Sequence, residues 1–292
     1  MDSTPREPPA DHESLIELIH DRFDGMSKTS KKIAVFLTQN PNDVAMLSVN
    51  AIANRCGVHA SSFVRFAQML GYSGFRELQG VFHQRLSSAA PSFDNRISAL
   101  EEELDDGAEK SEAGLLRELA VRDIASLRDL LHRIDEAELH RAVRMMERAD
   151  TIFLAGQNRS APIVELMRYV LTMLGKRVVL LDAGGGLATH MARTMRPRDV
   201  LIAVSFRYYA KEVVTVAQEA RRAGVPVIAI TDTTLSPLAK AASVLFAVPE
   251  HDHAFSRSLA APMCLAQSLI VALAARLQDD RVAPRIPVVT QE

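Results

Sequence analysis

The sequence contains no tryptophan, only two cysteines and 5% aromatic residues. Cys56 and Cys264 lie far apart and share no spacing typical of a metal site, so the sequence predicts neither a disulfide framework nor a cysteine-bound metal. This use of cysteine suits a reducing compartment, and we expect a cytoplasmic protein. The shortage of aromatic residues argues against an aromatic-rich binding face.

Neither a signal peptide nor a long uninterrupted hydrophobic run is expected. Residues 1–13 are polar and contain three prolines, without the apolar segment of a signal peptide. The longest apolar-leaning run, residues 259–277, is interrupted by Pro262, Gln267 and Ser268. Such a run is too polar for a membrane span, so we predict a soluble protein with no membrane partner.

An overall excess of charge is also absent, because 34 Lys and Arg residues stand against 36 Asp and Glu residues. The charge is nevertheless uneven along the chain. Residues 26–88 contain seven basic and two acidic side chains, a net charge of +5. Residues 89–118 contain nine acidic and three basic side chains, a net charge of −6. A change of composition of this kind marks a domain boundary.

The length of 292 residues and the hydrophobic fraction of 48% permit two domains, each with its own core. We predict an N-terminal domain at residues 12–88 and a C-terminal domain at residues 134–280. An acidic linker with connecting helices, residues 89–133, is expected between them.

Before residue 90 the apolar residues recur at helical spacing. Breaks at Gly25, residues 40–42, Gly57 and Gly71 divide this region into four or five predicted short helices. Residues 48–70 place two of these helices on either side of a turn at residues 56–58. This pattern is typical of a helix-turn-helix.

The residue types in this segment fit a helix-turn-helix that binds DNA. The small Ala53 permits close packing of the first helix, and Gly57 permits a left-handed turn. The second helix begins near His59, and its first side chains are short and polar before Arg65. Side chains at the start of a recognition helix contact bases or phosphates in the major groove. The candidate DNA-binding residues are Lys31, Lys32, His59, Ser61, Ser62 and Arg65.

A plain helical hairpin without a role in DNA binding is the competing interpretation of the same pattern. The local net charge of +5 favours DNA, since Lys and Arg that neutralise phosphates supply most of the non-specific affinity. We therefore predict a double-stranded DNA operator as a partner.

After residue 150 the pattern changes to short β-branched runs that alternate with helical patterns. This alternation predicts a parallel sheet built from βαβ units, and hence an α/β fold with five strands flanked by helices. The predicted strands are residues 151–155, 177–181, 199–204, 226–231 and 244–248. The predicted helices are residues 161–174, 187–195, 211–223, 237–241 and 257–278.

Ligands bind beyond the carboxyl ends of the strands in an open parallel sheet. The loops after the first and third strands carry Gly, Ser and Arg, which suit a small anionic ligand. The candidate ligand-binding residues are Gly156, Asn158, Arg159, Ser160, Ser205, Arg207 and Tyr208. Residues 184–186, a Gly-Gly-Gly turn after the second strand, are equally consistent with a simple turn. Residues 250–253, Glu-His-Asp-His, are interpreted as a solvated loop, so no metal and no cofactor is predicted.

These motifs resemble those of the RpiR/MurR bacterial transcriptional regulators. The N-terminal resemblance lies in residues 53–58 (ANRCGV), 62–66 (SFVRF) and 70–75 (LGYSGF). The C-terminal half resembles their sugar isomerase (SIS) domain at Gly156 with Ser160 and at residues 199–205, 228–232 and 236–239. The resemblance covers residues 12–280 and implies an all-α DNA-binding domain followed by an α/β SIS domain. It also implies a dimeric or tetrameric regulator of carbohydrate-related genes that is controlled by a phosphosugar.

The sequence departs from this family at one loop. Phosphosugar-binding members carry Ser-x-Ser-Gly-x-Thr after the third strand, whereas this chain has Ser205-Phe206-Arg207-Tyr208-Tyr209-Ala210. Two hydroxyls and a glycine are replaced by a cation and aromatic bulk. We therefore expect a small anionic effector that is either a phosphosugar or a sugar or organic acid.

Two other functions remain open on sequence grounds. An aldose–ketose isomerase needs a base beside the sugar, and Glu212, Glu250 and His190 are candidates outside any recognisable catalytic motif. A regulator explains the basic N-terminal module, whereas an isomerase does not, so no catalytic residue is predicted. A ligand-regulated scaffold that has lost DNA binding is the third possibility. The helix at 257–278 is apolar on more than one face, which predicts a homodimer or tetramer that pairs through the second domain.

Overall fold

The computed structural model describes residues 8–89, 111–182, 186–207, 209–248 and 257–282. The chain divides into two compact units, with the boundary between residues 108 and 109. The regular secondary structure of the first unit's described residues is all helix, and the second unit contains the sheet.

Six helices form the described part of the first unit, one more than the upper expectation from the sequence. Their bounds are α1 His12–Arg22, α2 Lys28–Gln39, α3 Pro41–Met46, α4 Val49–Cys56, α5 Ala60–Met69 and α6 Phe75–Ala89. The additional helix is α3, which starts directly at the predicted break. Asn40 ends α2 and precedes α3, and Pro41 occupies the first position of α3, where its fixed φ favours a helix start.

Side-chain caps and a shared apolar core hold these helices together. The Ser27 and Ser48 hydroxyls accept backbone N–H bonds at the starts of α2 and α4. Gln79 on α6 donates to the carbonyls of Val44 and Leu47, both at 2.8 Å, and so satisfies the end of α3. The largest fully buried side chains of this core are Leu15, Ile19, Ile33, Leu37, Ile52, Phe63, Phe66, Leu78 and Phe82.

The second unit is an α/β fold around a five-stranded sheet. Its strands are β1 Ile152–Gly156, β2 Val178–Leu180, β3 Val200–Val204, β4 Val227–Thr231 and β5 Val244–Ala247. Every pair is parallel, and the strand order is β2-β1-β3-β4-β5, which confirms the predicted sheet. The helices are α7 Glu112–Arg133, α8 Glu136–Arg148, α9 Ala161–Met173, α10 Ala188–Ala192, α11 Lys211–Arg222 and α12 Ala260–Val282.

Alternate side chains of the strands enter two separate cores. Ile152 and Leu154 of β1 lie in the core shared with α8, α9 and α12. Phe153 and Ala155 of the same strand lie in the core shared with α10 and α11. The sheet is therefore covered on both faces, as its continuous apolar strands require. β2 lies on one side of β1 and β3 lies on the other, so the strand order changes direction at β1. In open parallel sheets such a change leaves a crevice at the carboxyl ends of the two strands, here β1 and β3.

The α7 helix belongs to the second unit, although its residues fall in the segment expected to be a linker. It packs against α12, and its Leu130 is buried in the core that contains α8 and α9. We therefore place the start of the second domain at α7.

The expected helix at residues 237–241 is wrong, because these residues form turns. The Ser236 hydroxyl accepts the N–H of Leu238, and the Leu238 carbonyl accepts the N–H groups of Ala241 and Ala242. Pro237 also has no N–H to donate to a helix. A hydroxyl that captures a nearby backbone N–H offers the chain an alternative to a regular helix.

One helix of the described residues, 260–278 within α12, is long and apolar enough to cross a membrane by length and composition alone. Leu265, Leu269 and Leu273 of this helix are buried in the core of the second unit. Packing within the chain therefore explains part of the apolar character of α12.

Candidate functional site

The turn between α4 and α5 has the backbone geometry that a helix-turn-helix requires. Gly57 ends α4 with φ 68° and ψ 42°, a left-handed conformation that L side chains rarely adopt. The N–H of Val58 donates to the Ala53 carbonyl at 3.1 Å, which closes the end of the helix. Ala53 is buried, consistent with the small side chain expected where the two helices meet.

The second helix of the motif, α5, has one buried and one exposed face. Phe63, Phe66 and Ala67 are buried, and the Phe63 ring meets the Phe75 ring edge-on at 5.3 Å. Arg65 lies on the exposed side. Its two candidate acidic neighbours are engaged elsewhere, since Asp43 pairs with Arg55 at 2.5 Å and Glu77 accepts from the N–H and hydroxyl of Ser73. The side chain of Arg65 is thus presented to solvent.

The other candidate DNA-binding residues lie on α2 and at the start of α5, and these two helices contact each other. Ser61 and Lys32 are exposed, and Ser62 is half-buried. His59 precedes α5 at its N-cap position. The ammonium of Lys31 lies over the Phe23 ring, 5.3 Å from its centre, so this cation also packs against the protein.

At the carboxyl ends of the strands, several predicted ligand-binding residues have a structural role. A Cβ added to Gly156 meets Cγ1 of Val164 at 2.8 Å, so the glycine permits β1 to pack closely on α9. The guanidinium of Arg159 lies 5.0 Å from the centre of the Phe206 ring and donates to the Ser258 carbonyl. The Ser205 hydroxyl accepts the N–H of Ala210 at 3.1 Å, which ties the ends of the loop between β3 and α11 together.

Asn158 and Ser160 occupy the short 3-10 turn between β1 and α9. Asn158 is exposed and adopts φ 54°, a left-handed conformation that asparagine tolerates better than most residues. Ser160 is buried. Tyr208, residues 183–185 and the Glu-His-Asp-His segment at 250–253 lie outside the described residues.

Two hydrogen-bonded pairs at this edge of the sheet were missed by the sequence reasoning. Gln157, which follows β1, donates through its amide to the Glu212 carboxylate at 2.5 Å. The Tyr209 hydroxyl donates to the Asp232 carboxylate at 2.8 Å. The Thr231 hydroxyl lies 3.1 Å from the same carboxylate and 2.8 Å from the Ser236 hydroxyl. The sequence offered one signal for these pairs, which is that all four residues follow the carboxyl ends of β1, β3 or β4.

The carboxyl of Asp232 is the titratable group most affected by this environment. Burial raises the pKa of Asp232 above its ordinary value, while the Tyr209 hydrogen bond and the positive charge of Arg207 act in the opposite direction. Arg207 is half-buried and close enough to Asp232 to influence it. The edge therefore combines a guanidinium with hydrogen-bonding carboxylate, hydroxyl and amide groups. Such a set suits an effector with both an anionic group and hydroxyls.

Together the two units define a class of protein: a helix-turn-helix domain followed by an SIS domain. Residues 13–89 match the helix-turn-helix domain of the rpiR family, and residues 145–272 match the SIS domain. The chain is 31% identical over 275 residues to YfhH of Escherichia coli strain K12, an uncharacterized HTH-type transcriptional regulator. This alignment covers 91% of the chain and 93% of YfhH. The chain belongs to the rpiR family of transcriptional regulators, which confirms the resemblance and the domain order.

Solved structures share this fold. The sugar isomerase domain of an RpiR transcription factor from Sphaerobacter thermophilus has 27% identity and a TM-score of 0.54, covering 56% of this chain and 92% of that one. The Vibrio vulnificus NanR protein, solved in complex with ManNAc-6P, has 20% identity and a TM-score of 0.53. The latter match covers 91% of this chain and 94% of NanR, so the similarity of fold spans both domains.

Proposed function

We propose that this regulator binds operator DNA through α5 and senses a small anionic effector through its SIS domain. The observation that carries the DNA assignment is the exposed Arg65 on the second helix of the motif, with Asp43 and Glu77 engaged by other groups. A guanidinium in this position fits the two acceptors of guanine in the major groove. As a DNA-binding regulator the protein acts in the cytoplasm.

The decisive experiment is binding of the full chain to its upstream intergenic DNA at a fixed salt concentration. We expect Arg65→Ala to weaken specific binding by about 1–3 kcal/mol if the side chain reads a base. Arg221→Ala removes an exposed arginine from the SIS domain and serves as the matched control. Unchanged operator affinity in a folded Arg65→Ala protein contradicts the assignment.

Lys31 and Lys32 are proposed to contact phosphates rather than bases. Their removal weakens binding to all sequences and lowers the slope of affinity against salt concentration by about one unit for each lost contact. His59, Ser61 and Ser62 are proposed to lie at the same DNA surface, at the start of α5.

For the effector, we propose that Arg207 provides the principal cation, with the start of α9 nearby. The solved complex of NanR with ManNAc-6P supports a phosphosugar as one candidate. The side chains of Asp232 and Glu212 accept hydroxyl donors equally well from a sugar acid. A thermal-shift screen of sugar phosphates and sugar or organic acids on the wild type and on Arg207→Ala tests this assignment. Loss of the response to an anion in the variant supports it, whereas a full response in the variant refutes it.

We also infer that the protein is not an isomerase, even though it contains a sugar isomerase (SIS) domain. Glu212 is bonded to Gln157, and His190 lies exposed on the short α10. Among the residues that the structure describes, neither is hydrogen-bonded to a second acid–base group, which proton transfer between C1 and C2 requires. Conversion of a sugar phosphate by the purified protein contradicts this inference.

We further propose a homodimer that pairs through α7 of the second unit. Leu116, Ile124 and Leu131 form a stripe along α7 and are 69%, 49% and 79% exposed. Exposed apolar side chains at helical spacing are typical of a protein interface. A helix-turn-helix regulator that reads paired half-sites requires two copies related by a two-fold axis.

A further inference from the structure

The exposed face of α5 contains two side chains that the sequence analysis did not assign to DNA. Ser61, Val64, Arg65 and Gln68 lie at spacings of three, four and seven residues, and all four are exposed. These positions form one continuous face of a helix. The buried Phe63, Phe66 and Ala67 lie on the other side. Whatever contacts Arg65 along this helix is therefore also within reach of Val64 and Gln68.

Val64 is one of two apolar side chains exposed on α5, at 38%, and the other is Met69 at 40%. Val64 is not among the buried residues of α5, and a β-branched residue lowers rather than raises helix propensity. Helix stability therefore does not explain valine at this position, and its exposed part is open to a ligand. In the major groove, an apolar side chain of this kind contacts the C5-methyl group of thymine.

Gln68 lies four residues after Val64, one turn further along the same face. No hydrogen bond joins its side-chain amide to another group in the part of the chain that the structure describes. Gln79 of the same unit provides the contrast, because its amide donates to two carbonyls at the end of α3. A glutamine amide offers one donor and one acceptor in the geometry of the adenine N6 and N7 edge.

We infer that Val64 and Gln68 are specificity-determining residues that read a thymine methyl group and an adenine edge in each operator half-site. One helical turn advances about 5.4 Å and one base pair about 3.4 Å, so the two contacts fall one or two base pairs apart. The inference rests on the proposed operator binding. It extends the readout from Arg65 to a face that distinguishes A·T pairs from G·C pairs.

The experiment begins with selection of duplexes from a random double-stranded library by the full-length wild type. The same selection with Val64→Ala, Gln68→Ala and Met46→Ala follows. Met46 is an apolar residue on α3 that is 70% exposed, so its substitution is a control for loss of exposed apolar surface. We expect Gln68→Ala to lose the preference for adenine at one position per half-site. Its affinity for the wild-type duplex is expected to fall about tenfold. Met46→Ala is expected to select the wild-type motif.

Removal of a single methyl group from the DNA tests Val64 directly. Replacement of one thymine by deoxyuridine removes only the methyl group, and wild-type affinity is expected to fall about fourfold at the contacted position, as for one buried methylene. Val64→Ala is expected to bind the thymine and deoxyuridine duplexes equally. Circular dichroism confirms that each variant is folded.

The outcomes separate this inference from the proposed function. A wild type that enriches no duplex overturns operator binding, and the readout assignment is lost with it. If the wild type enriches a motif and both Val64→Ala and Gln68→Ala select it with unchanged base preferences, the readout assignment alone is overturned. A thymine methyl effect that persists in Val64→Ala removes Val64 from the readout face.

Discussion

Gly156 at the end of β1 allows a prediction about a single methyl group. An added Cβ lies 2.8 Å from Cγ1 of the buried Val164 and 3.2 Å from the Ser160 carbonyl oxygen. We expect Gly156→Ala to destabilise the second unit by about 1–3 kcal/mol, the usual effect of overpacking. Urea denaturation followed by circular dichroism measures the change in the free energy of unfolding.

The Val164→Ala substitution provides the control for this clash. In the double variant the added methyl group enters the space left by the valine. We therefore expect the double variant to be more stable than the sum of the two single effects, by about 1 kcal/mol. Strict additivity shows that the contact with Val164 is not the reason for glycine at this position.

Asp232 leads to a prediction about pH. Burial raises the pKa of its carboxyl in the folded protein, so the folded state binds a proton more strongly than the unfolded chain. The favourable contribution is complete below the unfolded pKa and is lost as the pH rises through the higher folded pKa. Asp232→Asn stays uncharged and still accepts from Tyr209. We expect its stability relative to the wild type to increase between pH 4 and pH 7 in urea denaturation, and a constant difference contradicts the assignment.

The sequence predicts some residues of the candidate sites and not their partners. The exposure of Arg65 follows from helical periodicity, because Phe63 and Phe66 fix the buried face. The Gln157–Glu212 and Tyr209–Asp232 bonds join residues that are 55 and 23 positions apart. Such pairs depend on strand order and loop conformation. Local sequence patterns contain neither kind of information, so the sequence predicts Arg207 as a ligand-binding residue without its acidic neighbour Asp232.

At the scale of elements, the turn of the helix-turn-helix yields a matched pair of glycine substitutions. Gly57 has φ 68° and no neighbour within 4 Å of an added Cβ, so any effect of alanine there arises from the backbone. We expect Gly57→Ala to destabilise the first unit by about 1 kcal/mol. Gly80 is exposed within α6, and an added Cβ there also has no neighbour within 4 Å. We expect Gly80→Ala to raise the free energy of unfolding of the first unit by about 0.5–1 kcal/mol.

Thermal unfolding of both variants measures this difference, and their operator affinities show whether α5 remains in place. Opposite signs of the two effects support a strained left-handed turn. Equal effects of the two substitutions show that the turn imposes no backbone requirement.

The predicted strands agree with the observed ones to within one or two residues at each end. Continuous β-branched runs between helical patterns define them, and burial on both faces requires such runs. The prediction was wrong where short polar residues decide the local structure. Residues 237–241 form turns because the Ser236 hydroxyl captures a backbone N–H, and Asn40-Pro41 starts α3 where only a break was expected.

At the scale of the whole molecule, the apolar stripe of α7 is the surface on which the proposed dimer depends. A monomer exposes Leu116, Ile124 and Leu131 to water, whereas two copies that meet along this stripe bury them. A carboxylate placed in this seam has no partner and must be desolvated on association. We expect the wild type to be a dimer at micromolar concentration in light scattering, and Ile124→Asp combined with Leu131→Asp to be a monomer.

Loss of the dimer also changes DNA binding, although α5 is untouched. Two linked helix-turn-helix units bind paired half-sites with an avidity that a single unit lacks, so we expect operator affinity to fall on the order of 100-fold. Met46→Asp places the same charge on an exposed apolar residue of the first unit and is expected to leave the dimer intact. A double variant that remains dimeric excludes α7 as the interface. A wild type that is monomeric at micromolar concentration excludes the dimer itself. Each α5 would then approach its half-site alone.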